Sequence, residues 1–258
     1  MKKIINWNVD QDPHTKKGEI ELHFNLHSTR ASDPDWNRKN ENRLNAIRDA
    51  EKIIDKNIQG NVLEIGAGNG YASVDLSKRP SVESVHSLEC DQAALNKLIR
   101  RNYQENNVPE EKYELILGSF NDIKNKDYYD FVVALGAIHH SGNLLKTLDS
   151  IFSSLKPEGF LIAQEPFMDS LTPNSHYINK ESKITKVQNL IKIKESDRDD
   201  HFFRMCEYQT AFHHAGFNIN YLKRYDVGSN SGQIFNFLTV LQKPKNSAQY
   251  LVPHRWLR

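Results

Sequence analysis

The sequence predicts an α/β fold: a doubly wound, seven-stranded, mostly parallel sheet with an antiparallel last strand and helices on both faces. Three observations predict it. Short apolar runs alternate with helical patterns between Glu41 and Gln164, at the spacing of βαβ units. A glycine-rich turn, Gly66-Ala67-Gly68-Asn69-Gly70, follows the first of those runs directly. Two last apolar runs flank Gly228-Ser229-Asn230-Ser231-Gly232, which has the composition of a hairpin loop.

Residues 1–40 are polar, aperiodic and marked by Asp12-Pro13 and Asp33-Pro34, so an irregular N-terminal arm is expected there. From Glu41, the residues Leu44, Ile47, Ile54 and Ile58 place one apolar stripe on a helix ending near Gly60. Asn61 to Ile65 reads as the first strand, Tyr71 to Lys78 as a helix and Val82 to Leu88 as the second strand. Asp91 can cap a helix carrying Leu95, Leu98, Ile99 and Tyr103. Tyr113 to Leu117 and Phe131 to Leu135 are the third and fourth strands. Leu144, Leu148, Ile151, Phe152 and Leu155 line a helix stopped by Pro157 and Gly159. Phe160 to Gln164 is the fifth strand. Beyond it, residues 166–203 read as a polar insertion with one weakly helical run, Ile184 to Ile193. A helix near Glu207 to Ala215 and strands near Phe217 to Tyr225 and Gln233 to Leu241 complete the domain, expected over 41–243. Residues 244–258 form a tail in which Trp256 sits among basic residues. Docking of that tail on the body or on a second subunit, as in a homodimer, stays open.

Composition narrows the function classes. The chain has 258 residues, with 34 Lys+Arg against 33 Asp+Glu and 38% hydrophobic residues. A net charge of +1 removes the electrostatic argument for a nucleic-acid or anionic-membrane partner. The longest apolar stretch, Phe131 to Ile138, is far short of the roughly 20 residues that span a bilayer, so no membrane insertion is expected. Only Ile4 and Ile5 follow Lys2-Lys3, which gives no secretory core. Two lone cysteines, Cys90 and Cys206, suit a reducing interior. A cytoplasmic enzyme is the expectation.

Ligands of doubly wound sheets bind at the carboxyl ends of the strands. The loop there spaces its glycines G-x-G-x-G, and Tyr71 stands where a dinucleotide fold would place its third glycine. Glu64 just before the loop would repel a pyrophosphate but suits a cationic or amine-bearing ligand. Glu89, nineteen residues after Gly70, can accept hydrogen bonds from both hydroxyls of a ribose.

On these residues the chain resembles the class I S-adenosylmethionine-dependent methyltransferases of small molecules, whose fold is Rossmann-like. Val62-Leu63-Glu64-Ile65-Gly66-Ala67-Gly68-Asn69-Gly70 is similar to their glycine motif and Ser87-Leu88-Glu89-Cys90 to the segment with their ribose-binding acid. Residues 129–165 are similar to the fourth strand, helix, Lys-Pro-x-Gly turn and fifth strand, and residues 200–243 agree more loosely. The resemblance implies S-adenosyl-L-methionine as cofactor, with S-adenosyl-L-homocysteine as its spent form. It implies that Glu64, Gly66 and Gly68 line the methionine moiety, that Ala67 and Asn69 also bind the cofactor, that Glu89 holds the ribose and that Cys90 lies near the adenine. Ser119 stands where the family carries an Asp, so backbone groups of Phe120 would have to serve the adenine instead. Leu135 and Gly136 would approach the sulfonium end.

Methyl transfer from a sulfonium is an in-line displacement, so positioning and desolvation are the main tasks. A hydroxyl acceptor must also lose a proton. His139 and His140, just past the fourth strand, are candidate bases, although a ring here can also simply hold the loop. His213 and His214 are adjacent on a helix and cannot form an i, i+4 metal pair, and no metal is expected. Trp36 from the arm, together with Glu165, His176, Tyr177 and Arg204 in and around the insertion, are candidate acceptor contacts. Their polar and aromatic character suits a sugar or phosphate-like oxygen, as in bacterial surface-polysaccharide or natural-product biosynthesis. The alternatives are an N- or C-methyltransferase of another metabolite and a non-catalytic cofactor-binding protein. Nucleic-acid methylation is disfavoured because Leu135-Gly136-Ala137-Ile138 replaces the Asn/Asp-Pro-Pro-Tyr segment of base methyltransferases.

Overall fold

The computed structural model describes residues 2–7, 34–141, 143–168, 203–225 and 234–245. Its sheet has eight strands: β1 (Ile4–Asn6), β2 (Gly60–Ile65), β3 (Val82–Glu89), β4 (Tyr113–Leu117), β5 (Tyr129–Leu135), β6 (Leu155–Met168), β7 (Asn218–Arg224) and β8 (Ile234–Gln242). The spatial order is β1-β4-β3-β2-β5-β6-β8-β7. Every pairing from β1 to β6 is parallel, and β8 runs antiparallel to both neighbours. The expected antiparallel last strand is therefore present.

The count of seven is corrected by β1. Ile4, Ile5 and Asn6 pair with Leu115, Ile116 and Leu117, inside the segment expected to be an irregular arm. Three residues are too few to show an alternation, and their partners lie far away in sequence. Trp7 continues the edge, donating its N–H to the Leu117 carbonyl at 2.8 Å and burying its ring.

Apolar residues alternate along the central strands and feed two cores, one on each face. On one face, α1 (Pro34–Ile54) lays Leu44, Ala46, Ile47 and Ala50 over Val62, Val133 and Ile162. This helix starts well before Glu41 and ends short of Gly60. Ile58 is buried but lies past the helix, its N–H donating to the Glu51 carboxylate at 2.7 Å. On the other face, α5 (Leu144–Ser154) and α6 (Met205–Ala215) bury Leu148, Ile151, Ala211 and Phe212 against Leu63, Ala134 and Leu161.

Between β2 and β3 runs α2 (Tyr71–Ser77). After β3 come α3 (Gln92–Ala94), a π-turn (Leu95–Ile99) and α4 (Arg100–Glu105). Asp91 caps this run as expected, its side chain accepting from the Ala93 N–H at 2.7 Å. Leu95, Ile99 and Tyr103 are fully buried, and Leu98 only half. The fifth expected strand is longer at both ends: β6 leaves α5 directly at Leu155 and pairs with β8 as far as Met168 opposite Ile234. The weakly helical run at 184–193 and the 228–232 loop lie outside the described residues.

Candidate active site

The strand ends Ile65, Glu89, Leu117 and Leu135 line one edge of the sheet, and the glycine loop wraps the middle of it. Gly66, Gly68 and Gly70 all have left-handed φ, at 61°, 57° and 75°. The reason is sharpest at Gly66, where a Cβ would stand 2.7 Å from that of Ala137. Ala67 donates its N–H to the Leu88 carbonyl at 3.1 Å, and Gly70 opens α2.

Glu89 is fixed by three backbone donors. Its Oε2 accepts from Gly68 at 2.8 Å, and its Oε1 accepts from Cys90 at 2.9 Å and Asp91 at 3.2 Å. The Cys90 thiol lies 3.4 Å from the same Oε1. The Asn69 side chain turns back to accept from the Tyr71 N–H at 3.1 Å, and its carbonyl accepts from Asn102 at 3.3 Å, so it shapes the loop. Ser119 makes the turn after β4, its hydroxyl accepting from the Asn121 N–H at 3.1 Å. Phe120 is half-buried against the core.

Glu64, near the end of β2, is 4% exposed and accepts a hydrogen bond from the Ser73 hydroxyl. Burial pushes its carboxyl up to about 7, opposed by that hydrogen bond and by the charge of Arg43. Arg43 reaches the edge from α1. A methyl group built on Gly136 would stand 3.0 Å from its guanidinium and 3.7 Å from His139 Cε1. Burial pushes the guanidinium down from its ordinary value, while the charges of Glu64 and Glu165 act the other way.

Past β5 the chain forms a 3-10 turn, Ile138–His140. Glu165 of β6, fully buried, holds that turn from below. Its Oε1 accepts from Ala137 at 2.8 Å and Ile138 at 2.9 Å. Its Oε2 accepts from the His139 N–H at 3.3 Å and meets His139 Nδ1 at 2.8 Å. The His139 and His140 rings lie 4.0 Å apart, inclined by 39°. Glu165 therefore lies on β6 rather than in the insertion, buried beneath the turn and in contact with His139.

The methyltransferase-domain family matches residues 36–222, which is most of the chain. The chain belongs to that family. Its fold is shared with several solved structures. A putative sarcosine dimethylglycine methyltransferase from Galdieria sulphuraria aligns with a TM-score of 0.63 at 15% identity, covering 81% of this chain and 86% of that one. The [4+2]-cyclase SpnF aligns at 0.60 and 10% identity, covering 77% and 81%. The geranyl diphosphate C-methyltransferase of Streptomyces coelicolor A3(2), solved with Mg2+, geranyl-S-thiolodiphosphate and S-adenosyl-L-homocysteine, aligns at 0.56 and 11%, covering 76% and 75%. No curated protein matches the chain by sequence.

In this methyltransferase Glu64, the glycine loop, Glu89, Ser119, Phe120, Leu135, Gly136, His139 and His140 all lie on or next to one edge of the sheet. Trp36 is in the first turn of α1. His176 and Tyr177 lie outside the described residues. Arg204 caps α6, its N–H donating to Glu207 at 2.6 Å, and bridges to Met168. Sequence reasoning missed Arg43, because an arginine one position from the Leu44 stripe reads as the solvated flank of an amphipathic helix. Among the described residues, no group of three or more His, Cys, Asp or Glu could hold a metal ion, and no helix is long and apolar enough to cross a membrane.

Proposed function

We propose that this methyltransferase moves a methyl group from S-adenosyl-L-methionine to an oxygen of a polar small molecule, a sugar hydroxyl or a phosphate-like oxygen. The residues present fit that donor. Two carboxylates, Glu64 and Glu89, flank a glycine loop, a donor set that repels a pyrophosphate and attracts an ammonium or sulfonium and a ribose. The bound cofactor supplies an electrophilic methyl on a positively charged sulfur.

The chain's own residues do the rest. Glu89, locked by three N–H groups, keeps a fixed oxygen toward the ribose hydroxyls. Gly66 and Gly68 leave backbone in place of side chains along the methionine moiety, with only the Ala67 methyl between them. Leu135 and Gly136 border the reacting end and exclude water from it.

The observation that carries oxygen methylation is the His139–Glu165 contact. A His139 ring whose Nδ1–H donates to the buried Glu165 carboxylate would, when neutral, present its Nε2 lone pair as a proton acceptor. A hydroxyl acceptor needs such a group. The arm, with Trp36, and the insertion over 166–203, with His176 and Tyr177, together with Arg204 at its end, would cover the acceptor. A second subunit and a role in polysaccharide assembly belong to the same reading.

The test is a panel of sugars, phosphorylated sugars, amines and carbon acids with methyl-labelled cofactor. Oxygen acceptors alone should take label. His139→Ala should then lower kcat about 10²–10⁴-fold with cofactor affinity retained, and His140→Ala should cost less. Near wild-type turnover in both variants rejects the base, and label on nitrogen or carbon rejects the oxygen.

A further inference from the structure

Behind the cofactor edge, Glu64 is the end of a line of buried hydroxyl groups that the reaction does not use. Ser73 of α2 donates to Glu64. Ser87 of β3 donates to the Ser73 oxygen at 2.8 Å. Ser87 lies 2.9 Å from the Tyr103 hydroxyl of α4. Glu64, Ser73, Ser87 and Tyr103 are all under 5% exposed, and Tyr103 stacks on Tyr113 with ring centroids 3.8 Å apart.

One hydrogen per hydroxyl fixes the direction of the line. Ser73 spends its hydrogen on Glu64 and Ser87 spends its own on Ser73, so in the last contact Tyr103 is the donor. The nearby Ser77 hydroxyl donates to the Ser73 carbonyl at 2.7 Å, and its 3.5 Å contact with Tyr103 is the weaker one. Three hydroxyl dipoles therefore point the same way, toward one carboxylate. Such a chain polarises along its length and favours the charged form of the group at its end.

We propose that Ser73, Ser87 and Tyr103 are positioning residues for the donor, a one-way hydroxyl relay that keeps Glu64 able to ionise when the amine-bearing methionine end arrives. The proposal rests on the reading of this edge as the donor site. The charged and titratable groups facing Glu64 are Arg43 from α1, Glu89 from β3 and Tyr103 itself. Arg43 favours the carboxylate and Glu89 opposes it. Burial opposes it most, and the relay and Arg43 counter that burial so that Glu64 changes charge near neutral pH. Cofactor affinity should then rise as pH increases through the neutral range, with a proton released on binding.

The experiment is calorimetry of the full chain with S-adenosyl-L-homocysteine from pH 5.5 to 9, in buffers of different ionisation enthalpy. Ser87 is fully buried and its hydroxyl meets Ser73 and Tyr103, so Ser87→Ala alters the relay without removing an exposed side chain from the edge. It should move the affinity midpoint up by about half a pH unit, within the worth of one neutral hydrogen bond, and weaken binding a few-fold at pH 7 but little at pH 9. Tyr103→Phe, which keeps the ring stack, should shift the midpoint the same way by less. Glu64→Gln should abolish the proton release. A merely structural role would weaken binding equally at every pH. An unshifted midpoint in both relay variants, with wild-type binding intact, overturns the relay alone. Absence of any binding by the wild type overturns the donor site and the relay together.

Discussion

Two glutamates at the same edge of the sheet, on strands separated only by β5, are buried to almost the same degree and are held by unequal sets of donors. Glu64 meets the hydroxyl and the backbone N–H of one residue, Ser73, and, across a short distance, a guanidinium. Glu165 accepts three backbone N–H groups and a ring nitrogen. The contrast teaches that a buried carboxylate tied by four donors of one turn belongs to the scaffold, whereas one held by a single residue at the strand end keeps more of its charge for a neighbour. In the proposed function, one side of β5 answers the donor's charge and the other holds the base still.

The largest break in that contrast should come from Glu165→Ala. It would orphan the buried N–H groups of 137–139 and free the His139 ring. A loss of about 3–5 kcal/mol of stability is expected in urea unfolding, together with collapse of turnover. A variant that unfolds like wild type would show that the turn stands without its carboxylate.

Glu64→Gln should have a smaller effect, of the opposite kind. Because the native Glu64 holds its proton up to about 7 against an ordinary 4.5, the wild type loses stability as pH rises through that window. The glutamine variant has nothing to titrate there, so its urea midpoint relative to wild type should be higher at pH 8 than at pH 5. Parallel midpoints at both pH values would mean that Glu64 is ionised in the native state throughout.

The smallest effect sharpens the boundary between the two sides. Thr147 of α5, fully buried, donates to Asn121 in the loop after β4 and lies 2.6 Å from the Ser141 hydroxyl beside the histidine turn. Thr147→Val should cost about 1 kcal/mol and leave the pH dependence of cofactor binding unchanged, as read by thermal melts and calorimetry.

Much of the fold was legible because its strands are apolar runs of five or more residues bounded by glycine, proline and charge, as at Asn61–Ile65 and Tyr113–Leu117. β1 escaped because three residues carry no period. The ends of β6 escaped because Lys156-Pro157-Glu158-Gly159 reads as a stop, yet it runs on as strand with Glu158 at a left-handed φ of 65°. The glycine loop and Glu89 were legible because their chemistry is local in sequence. Arg43 and the role of Glu165 were not. Each acquires meaning only when α1 and β6 are brought to the end of β5, and a lone charge beside apolar residues carries no sign of which surface it will meet. The serines of the relay are ordinary small residues until the β2–α2–β3 crossover stacks them.

The edge strand that no periodicity announced has a practical consequence. A Cβ on Gly118 would stand 3.1 Å from that of Trp7, so the indole braces the underside of the very loop expected beside the nucleobase. Trp7 thus acts as a floorboard under that loop, and its replacement by a small residue would loosen the turn at Gly118.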